Sequence, residues 1–358
     1  MKPIATAIVG CTGLVGQQFA RLLDDHPFFA LSCLTASSRS TGKTFAAAMP
    51  EIDGFPFSTA TRRHVLRETT AAAICASGAR VVFSALPAAV SGPLEAELRA
   101  RGLFVFSNAS SHRLDPAVPL LIPEVNAGHL ELSRVQLRQH AGFIVTNPNC
   151  VVSGLAIALK PLMAFGLDSV TVTTFQAVSG GGRRGVAAWD ILGNVVPFIA
   201  SEEEKVARET RKLLGRLAGD HVEESRLEVY PACSRVAVKD GHLQSVSLEF
   251  SQAVSGKEIA EALTGFTAEP QQLKLPTAPQ SPIILHDAAD RPQPLLDVNA
   301  GGPGRAAGMA VSVGRLRQQG RRFGFFLLVH NTVRGAAGGS VLNAELAVRS
   351  GLIPGGEA

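Results

Sequence analysis

The sequence predicts an α/β protein, a doubly wound parallel sheet of the Rossmann type joined to a second, α+β domain. Three observations predict it. The chain opens on a strand-like apolar run, a glycine turn and an amphipathic helix. Further β-rich runs recur with helical stretches between them, the alternation that builds parallel sheets. At 358 residues the chain exceeds the size at which one hydrophobic core usually keeps growing.

Composition excludes several classes. Hydrophobic residues make up 46% and charged residues 18%, and no apolar run reaches the ~18 residues needed to span a bilayer. "MKPIATAIVG" enters a strand directly, without the parts of a secretory signal, so a cytoplasmic address is expected. The net charge of +4 is modest, and the most basic short stretch, "TRRHVLRE", suits a solvated face, so no nucleic-acid partner is expected. Cys11, Cys33, Cys75, Cys150 and Cys233 form an odd, scattered set without CxxC spacing, which fits reduced thiols and no metal site.

"IATAIVGCTGLVGQQFARLLDDH" reads as strand, turn and helix, with Leu14, Val15, Phe19, Leu22 and Leu23 as the core-facing stripe. Gly10, Gly13 and Gly16 lie three apart, a variant of the dinucleotide fingerprint that brings a pyrophosphate to a helix N-terminus. About 20 residues on, an NAD site would carry an acidic residue for the ribose 2′-hydroxyl. Here "ASSRS" offers Ser37, Ser38, Arg39 and Ser40, hydroxyls and a guanidinium that suit a 2′-phosphate, so NADP is the expected cofactor. Strands follow at "ARVVFSALP", "GLFVFSNAS" and "GFIVTN", which should bring Ser84, Asn108 and Cys150 to the carboxyl rim of the sheet.

"TNPNC" ends the last of those strands. Cys150 then falls in the first turn of the next helix, where free amides and the dipole favour a thiolate. Cys33 and Cys75 lie inside apolar runs and read as buried, inert thiols. A nucleophilic cysteine beside a nicotinamide suggests acyl chemistry, in which hydride passes to or from a sulfur adduct. For the accompanying base, His242 stands just after a turn at "KDG", and Arg235 lies on the preceding strand. A β-hairpin would bring the two to one end of the second domain.

Taken together, "GCTGLVGQ", "ASSRSTGK", "FSALP", "SNASSHR", "IPEVN", "TNPNC", "FQAVSGGG", "ETRKLLG", "SRVAVKDGH", "DRPQPLLD" and "HNTVRGAAGGSVLNAE" make the chain resemble aspartate-semialdehyde dehydrogenases of the branch found in archaea and fungi. The resemblance runs in order over nearly the whole chain. It implies that Cys150 is the nucleophile, that Gln176 orients the acyl group and that His242 is the acid/base catalyst. It further implies that Arg235 holds the substrate carboxylate, that Asn149 also binds substrate, that Glu209 meets the amino group, and that Arg113 and Lys212 bind phosphate. Glu209 and Lys212 are three apart, hence neighbours on one helix face. For NADP it implies Gly10, Thr12, Gly13, Leu14, Val15, Ser38, Arg39, Ser84, Gly180 and Asn331.

By the same resemblance the last helix returns to the nucleotide domain, giving an expected division into 1–149 plus 331–358 and 150–330, and the chain forms a homodimer or homotetramer. Two departures stand out: Leu243 and Gln244 follow His242 where the family often has a small polar residue and then Glu, and Arg183 and Arg184 adjoin the glycine loop. Such arginines would suit the 3′-phosphate of a coenzyme A thioester. A malonyl-CoA reductase therefore stays open beside reduction of aspartyl phosphate, as does a silent NADP-binding paralogue.

Overall fold

The structure, a computed structural model, describes residues 2–49 and 57–355. The ends of the expected first domain, Met1 and 356–358, lie outside the described residues. The chain divides into two compact units: Met1–Leu121 with Gly128–Asn147 and Ser340–Ala358, and Ile122–Ala127 with Pro148–Gly339. The first unit is discontinuous, as expected, but the boundaries differ from the expected ones. Residues 122–127 and 331–339 belong with the second unit, because the turn at 333–337 and the Pro123–Asn126 helix are tied by a buried Arg334–Glu124 pair at 2.7 and 2.6 Å.

The first unit is built on β1 (Ile4–Val9), β2 (Phe29–Ala36), β3 (Arg67–Glu68), β4 (Val81–Ser84), β5 (Phe104–Ser107) and β6 (Phe143–Thr146). They lie in the order β3-β2-β1-β4-β5-β6, every pair parallel. The strand order reverses between β1 and β4, which opens a ligand crevice beyond their carboxyl ends. β4, β5 and β6 are buried at every position, as expected for strands covered on both faces. Phe19 of the first helix, Leu14–Leu23, stacks 5.0 Å from Phe83, which in turn meets Phe29 and Phe106, while Phe106 meets Phe143. One helix and four strands thus share a single aromatic core. The expected helix stripe starts later than read: Gly16, Phe19, Ala20, Leu22 and Leu23 are buried, whereas Leu14 and Val15 are only half-buried.

The second unit carries β7 (Leu167–Gln176), β8 (Val195–Val196), a hairpin of β9 (Arg216–Ala218) and β10 (His221–Glu223), then β11 (Glu228–Val236), β12 (His242–Phe250), β13 (Ile283–His286), β14 (Val311–Gln319) and β15 (Arg322–Val329). Its main sheet has the order β13-β14-β15-β12-β7-β11-β8. β11 and β12 are therefore not a hairpin, contrary to expectation. β7 lies between them, parallel to β11 and antiparallel to β12. The reason is pairing: β7 is an apolar-alternating strand long enough to bond both neighbours along its length, and it displaces the local hairpin. Among the described residues, no helix is long and apolar enough to cross a membrane.

Candidate active site

The β7 geometry brings the predicted residues of the second unit together. Because β7 and β11 run parallel, their carboxyl ends align, with Gln176 opposite Arg235. Because β12 runs antiparallel to β7, its first residue, His242, starts at that same end. Along β12 every second residue from His242 to Phe250 is buried, so His242 and Gln244 point to the face on which the helix Cys150–Leu159 packs. Gln244 Nε2 donates to the Val151 carbonyl at 3.0 Å, seating that helix against the sheet.

Cys150 is the first residue of its helix. Asn149 is the N-cap: its side-chain oxygen accepts from the Val151 N–H at 2.8 Å. Its amide nitrogen donates to Glu202 Oε1 at 2.9 Å, and its backbone N–H to Glu209 Oε2 at 2.6 Å. Glu202 escaped the sequence reading. The available signal was its spacing of seven from Glu209, which puts both on one face of the Glu202–Leu213 helix. Glu209 and Lys212 are both buried on that helix, and Glu209 already holds the cap of the cysteine helix.

Cys150 Sγ lies 3.2 Å from His242 Nε2. His242 is fully buried, and burial, with the charges of Arg235 and His330 adding to it, pushes its imidazole down to about 3. Its ring is neutral at ordinary pH. The Ala177 N–H donates to His242 Nδ1 at 3.1 Å, and the Ala177 carbonyl accepts from Arg235 Nη1 at 2.8 Å. One peptide residue therefore holds both the histidine and the arginine. Gln176 is buried beside them, its Nε2 bonded to Thr174 Oγ1 at 3.3 Å.

Two residues expected at the cofactor lie in the second unit. Asn331 belongs to the second unit, where it accepts from the Gly241 N–H at 2.9 Å and donates to Ser179 Oγ at 2.8 Å, tying together the loops on either side of His242. At Gly180 a side chain would strike Arg235 Nη1 at 2.6 Å and His242 Nε2 at 3.2 Å, so this glycine borders Arg235 and His242. Both sit there because the 177–180 loop pairs with Val238 and Lys239 of the turn before β12.

The remaining residues expected at the cofactor lie in the first unit. Gly10 has φ +79° and leaves β1 under the Ala85 carbonyl, and a side chain at Gly16 would meet the Cys11 Cα at 2.6 Å. The N-cap Gly13 offers no side-chain oxygen, so the first amides of the Leu14 helix stay available to an anion. Ser84 Oγ ends β4 buried and without a hydrogen-bond partner. Ser37, Ser38 and Arg39 are exposed and Ser40 half-buried in a turn closed by the Ser40 N–H on the Ser37 carbonyl at 2.9 Å, just past β2. An uncapped helix, a narrow glycine turn and an orphan hydroxyl fit a dinucleotide. Arg113 belongs to this unit too, its Nη2 on the Asn108 carbonyl at 2.7 Å. Leu243 is half-buried and Arg183 and Arg184 are exposed. Of the thiols read as inert, Cys33 is buried with its thiol pushed up by burial, while Cys75, the last residue of its short helix, is only half-buried against the same core.

Comparison with known proteins agrees with this geometry. The family described as "Semialdehyde dehydrogenase, NAD binding domain" matches residues 5–133, and "Semialdehyde dehydrogenase, dimerisation domain" matches residues 159–334. An aspartate-semialdehyde dehydrogenase of Archaeoglobus fulgidus is 42% identical, with 98% of this chain and 99% of the relative aligned. One from Cryptococcus neoformans is 42% identical over 98% of each. A crystal structure of the Candida albicans aspartate semialdehyde dehydrogenase with NADP superposes with a TM-score of 0.88 at 35% identity, covering 98% of this chain and all of that one.

Proposed function

The chain belongs to the aspartate-semialdehyde dehydrogenase family, and from that premise we propose that it is an NADP-dependent enzyme that reduces L-aspartyl 4-phosphate to L-aspartate 4-semialdehyde, with release of phosphate. This is a step of amino-acid biosynthesis on the route to lysine, threonine and methionine. The observation that carries the reading is a cysteine at a helix N-terminus with its sulfur 3.2 Å from a buried, neutral histidine. Cys150 is the nucleophile: its sulfur takes the acyl group as a thioester. Arg235 provides the charge for the substrate carboxylate and Glu209 for its ammonium, both being buried at the same end of the second unit as Cys150. Lys212 and Arg113 are the cations for phosphate, and Gln176 and Asn149 the amides that orient the acyl group.

NADPH, when bound, supplies the hydride that reduces the thioester. Gly10, Thr12, Gly13, Leu14 and Val15 would hold its pyrophosphate side, Ser84 its orphan hydroxyl contact, and Ser37, Ser38, Arg39 and Ser40 the 2′-phosphate. Purified protein given aspartate semialdehyde, phosphate and NADP should generate NADPH absorbance; a folded, NADP-binding preparation that generates none defeats the proposal. The exposed arginines Arg183 and Arg184 favour one second reading, malonyl-CoA reduction, which wins if malonyl-CoA oxidises NADPH faster than the phosphate-dependent reaction runs.

We further read the protein as a homodimer. The second unit exposes Trp189 almost completely, at 96%, together with Leu192, Phe198 and Tyr230, apolar surface of the kind a second copy covers. Sedimentation should give twice the chain mass; twice that mass again would make it a tetramer. The thiols of Cys11, Cys33, Cys75 and Cys233, none in a disulfide, suit the reducing cytoplasm.

A further inference from the structure

We propose that Glu95 is a positioning residue for Arg113: its buried carboxylate gathers both ends of the loop 107–113 onto one helix face and so fixes where the phosphate-binding cation stands. The inference rests on the function proposed above and deepens it. The helix Ala88–Ala100 follows β4, so its first turns lie beside the carboxyl rim of the first sheet. Its buried residues are Ser91, Glu95 and Leu98, at the spacing of one helix face. Leu98 enters the apolar core. Ser91 and Glu95 occupy positions that packing alone would fill with apolar side chains, so they need polar partners.

The loop after β5 supplies those partners. Ser107, the last residue of β5, donates through Oγ to Glu95 Oε1 at 2.7 Å and accepts from the Ala109 N–H at 3.1 Å. Ser111 Oγ lies 2.8 Å from Ser91 Oγ and donates to the Ala88 carbonyl at 3.0 Å. His112 Nε2 stands 3.7 Å from Glu95 Oε2, within reach of charge pairing, and neither buried atom has a hydrogen-bond partner among the described residues. A carboxylate oxygen kept from water is costly unless a donor or cation faces it, and His112 faces this one. Arg113 follows directly. It is buried, and its Nη2 returns to the Asn108 carbonyl at 2.7 Å.

A phosphate site needs this double hold. An arginine side chain has several rotatable bonds, and its planar fork serves an anion best where backbone and guanidinium are both placed in advance. The Asn108 carbonyl places the guanidinium relative to its own loop, and Glu95 places the loop relative to the helix. Glu95 is fully buried, so it acts on phosphate through Arg113 and not by contact.

The test separates phosphate affinity from turnover. Glu95→Leu keeps the bulk of the side chain and removes both anchors, whereas Glu95→Gln keeps the acceptor for Ser107. In the phosphate-dependent oxidation of aspartate semialdehyde, Glu95→Leu should raise the phosphate KM about tenfold or more and leave kcat within about threefold, with the KM values for aspartate semialdehyde and NADP unchanged. Glu95→Gln should fall between that variant and the wild type, and it covers the case in which the leucine variant does not fold. Adding His112→Leu to Glu95→Leu should cost no further phosphate affinity, because the two residues form one pair. Calorimetric titration of the NADP-loaded protein with inorganic phosphate reads the same affinity without turnover. Wild-type phosphate affinity in whichever Glu95 variant folds, a loss confined to the melting temperature, or a full additional loss from His112→Leu overturns this inference alone. A wild-type protein that neither turns over nor binds phosphate overturns it together with the proposed function.

Discussion

Gly335 packs against Cys150 so closely that a Cβ on it would stand 2.7 Å from the cysteine Cβ and 2.9 Å from its Cα. The glycine lies in a π-helical turn, Val333–Ala337, anchored by its own N–H on the His330 carbonyl at 2.9 Å. Neither backbone can yield without moving the sulfur from His242. Gly335→Ala should lower kcat about tenfold or more while costing ~1–3 kcal/mol of stability from overpacking. Turnover and urea melts check it, and wild-type turnover would show that the cysteine helix tolerates displacement.

The turn is held from the other side by Arg334, which makes a bidentate pair with Glu124 at 2.7 and 2.6 Å, both side chains buried. Glu124→Gln leaves the guanidinium uncompensated in the core and should cost ~3–5 kcal/mol. A loss below about 1 kcal/mol in urea denaturation would mean that water reaches the pair.

Cys150→Ser should keep the fold and NADP binding yet lose nearly all turnover, because an alcohol without a strong base is a poor nucleophile. Retention of more than about a tenth of the wild-type rate, under ~1.4 kcal/mol of barrier, contradicts covalent catalysis there. Cys33→Ser, in the buried core of the first unit, should instead lower the melting temperature and spare kcat.

Arg39 is exposed in the turn after β2, with no acidic neighbour in "ASSRSTGK". If it meets the 2′-phosphate, Arg39→Ala should raise the NADP KM about tenfold or more, or ~1.5–3 kcal/mol for a bond to a charged group, and barely change NAD use. An equal loss with both cofactors would place Arg39 away from the 2′-phosphate.

Alkaline stability should follow the buried thiols. Burial pushes Cys11 up from the ordinary value of 9.0 to about 12, and Cys233 to about 11. Both folded-state values are raised, so below pH ~9 the thiols are neutral in both states and nothing is lost. Above it the unfolded chain ionises first and stability falls, by up to about 1.4 kcal/mol per thiol per pH unit, until the folded values are passed. Urea midpoints at pH 8 and pH 10.5 should show this decline, smaller in Cys11→Ala. An identical decline in that variant would assign the loss to other groups.

What the sequence determined by itself is what contiguous residues carry. The β1 strand, the Gly10 turn and the helix after it follow from local periodicity and from a backbone conformation that favours glycine. The placement of Cys150 at a helix N-terminus follows from the strand, proline and cap residue in "TNPNC". The tertiary structure decided the rest. Arg235 and His242 do share one end of the second unit, yet through β7 inserted between their strands, since which strand pairs with which depends on bonds between residues far apart in sequence. Asn331 and Gly180 likewise lie beside His242 and the turn before it only because the loops at 177–180 and before β12 are tied together. Most hidden of all was Ala177. Its part is played by a backbone N–H, which every residue but proline possesses, so no side-chain pattern could mark it and only its distance from His242 reveals it.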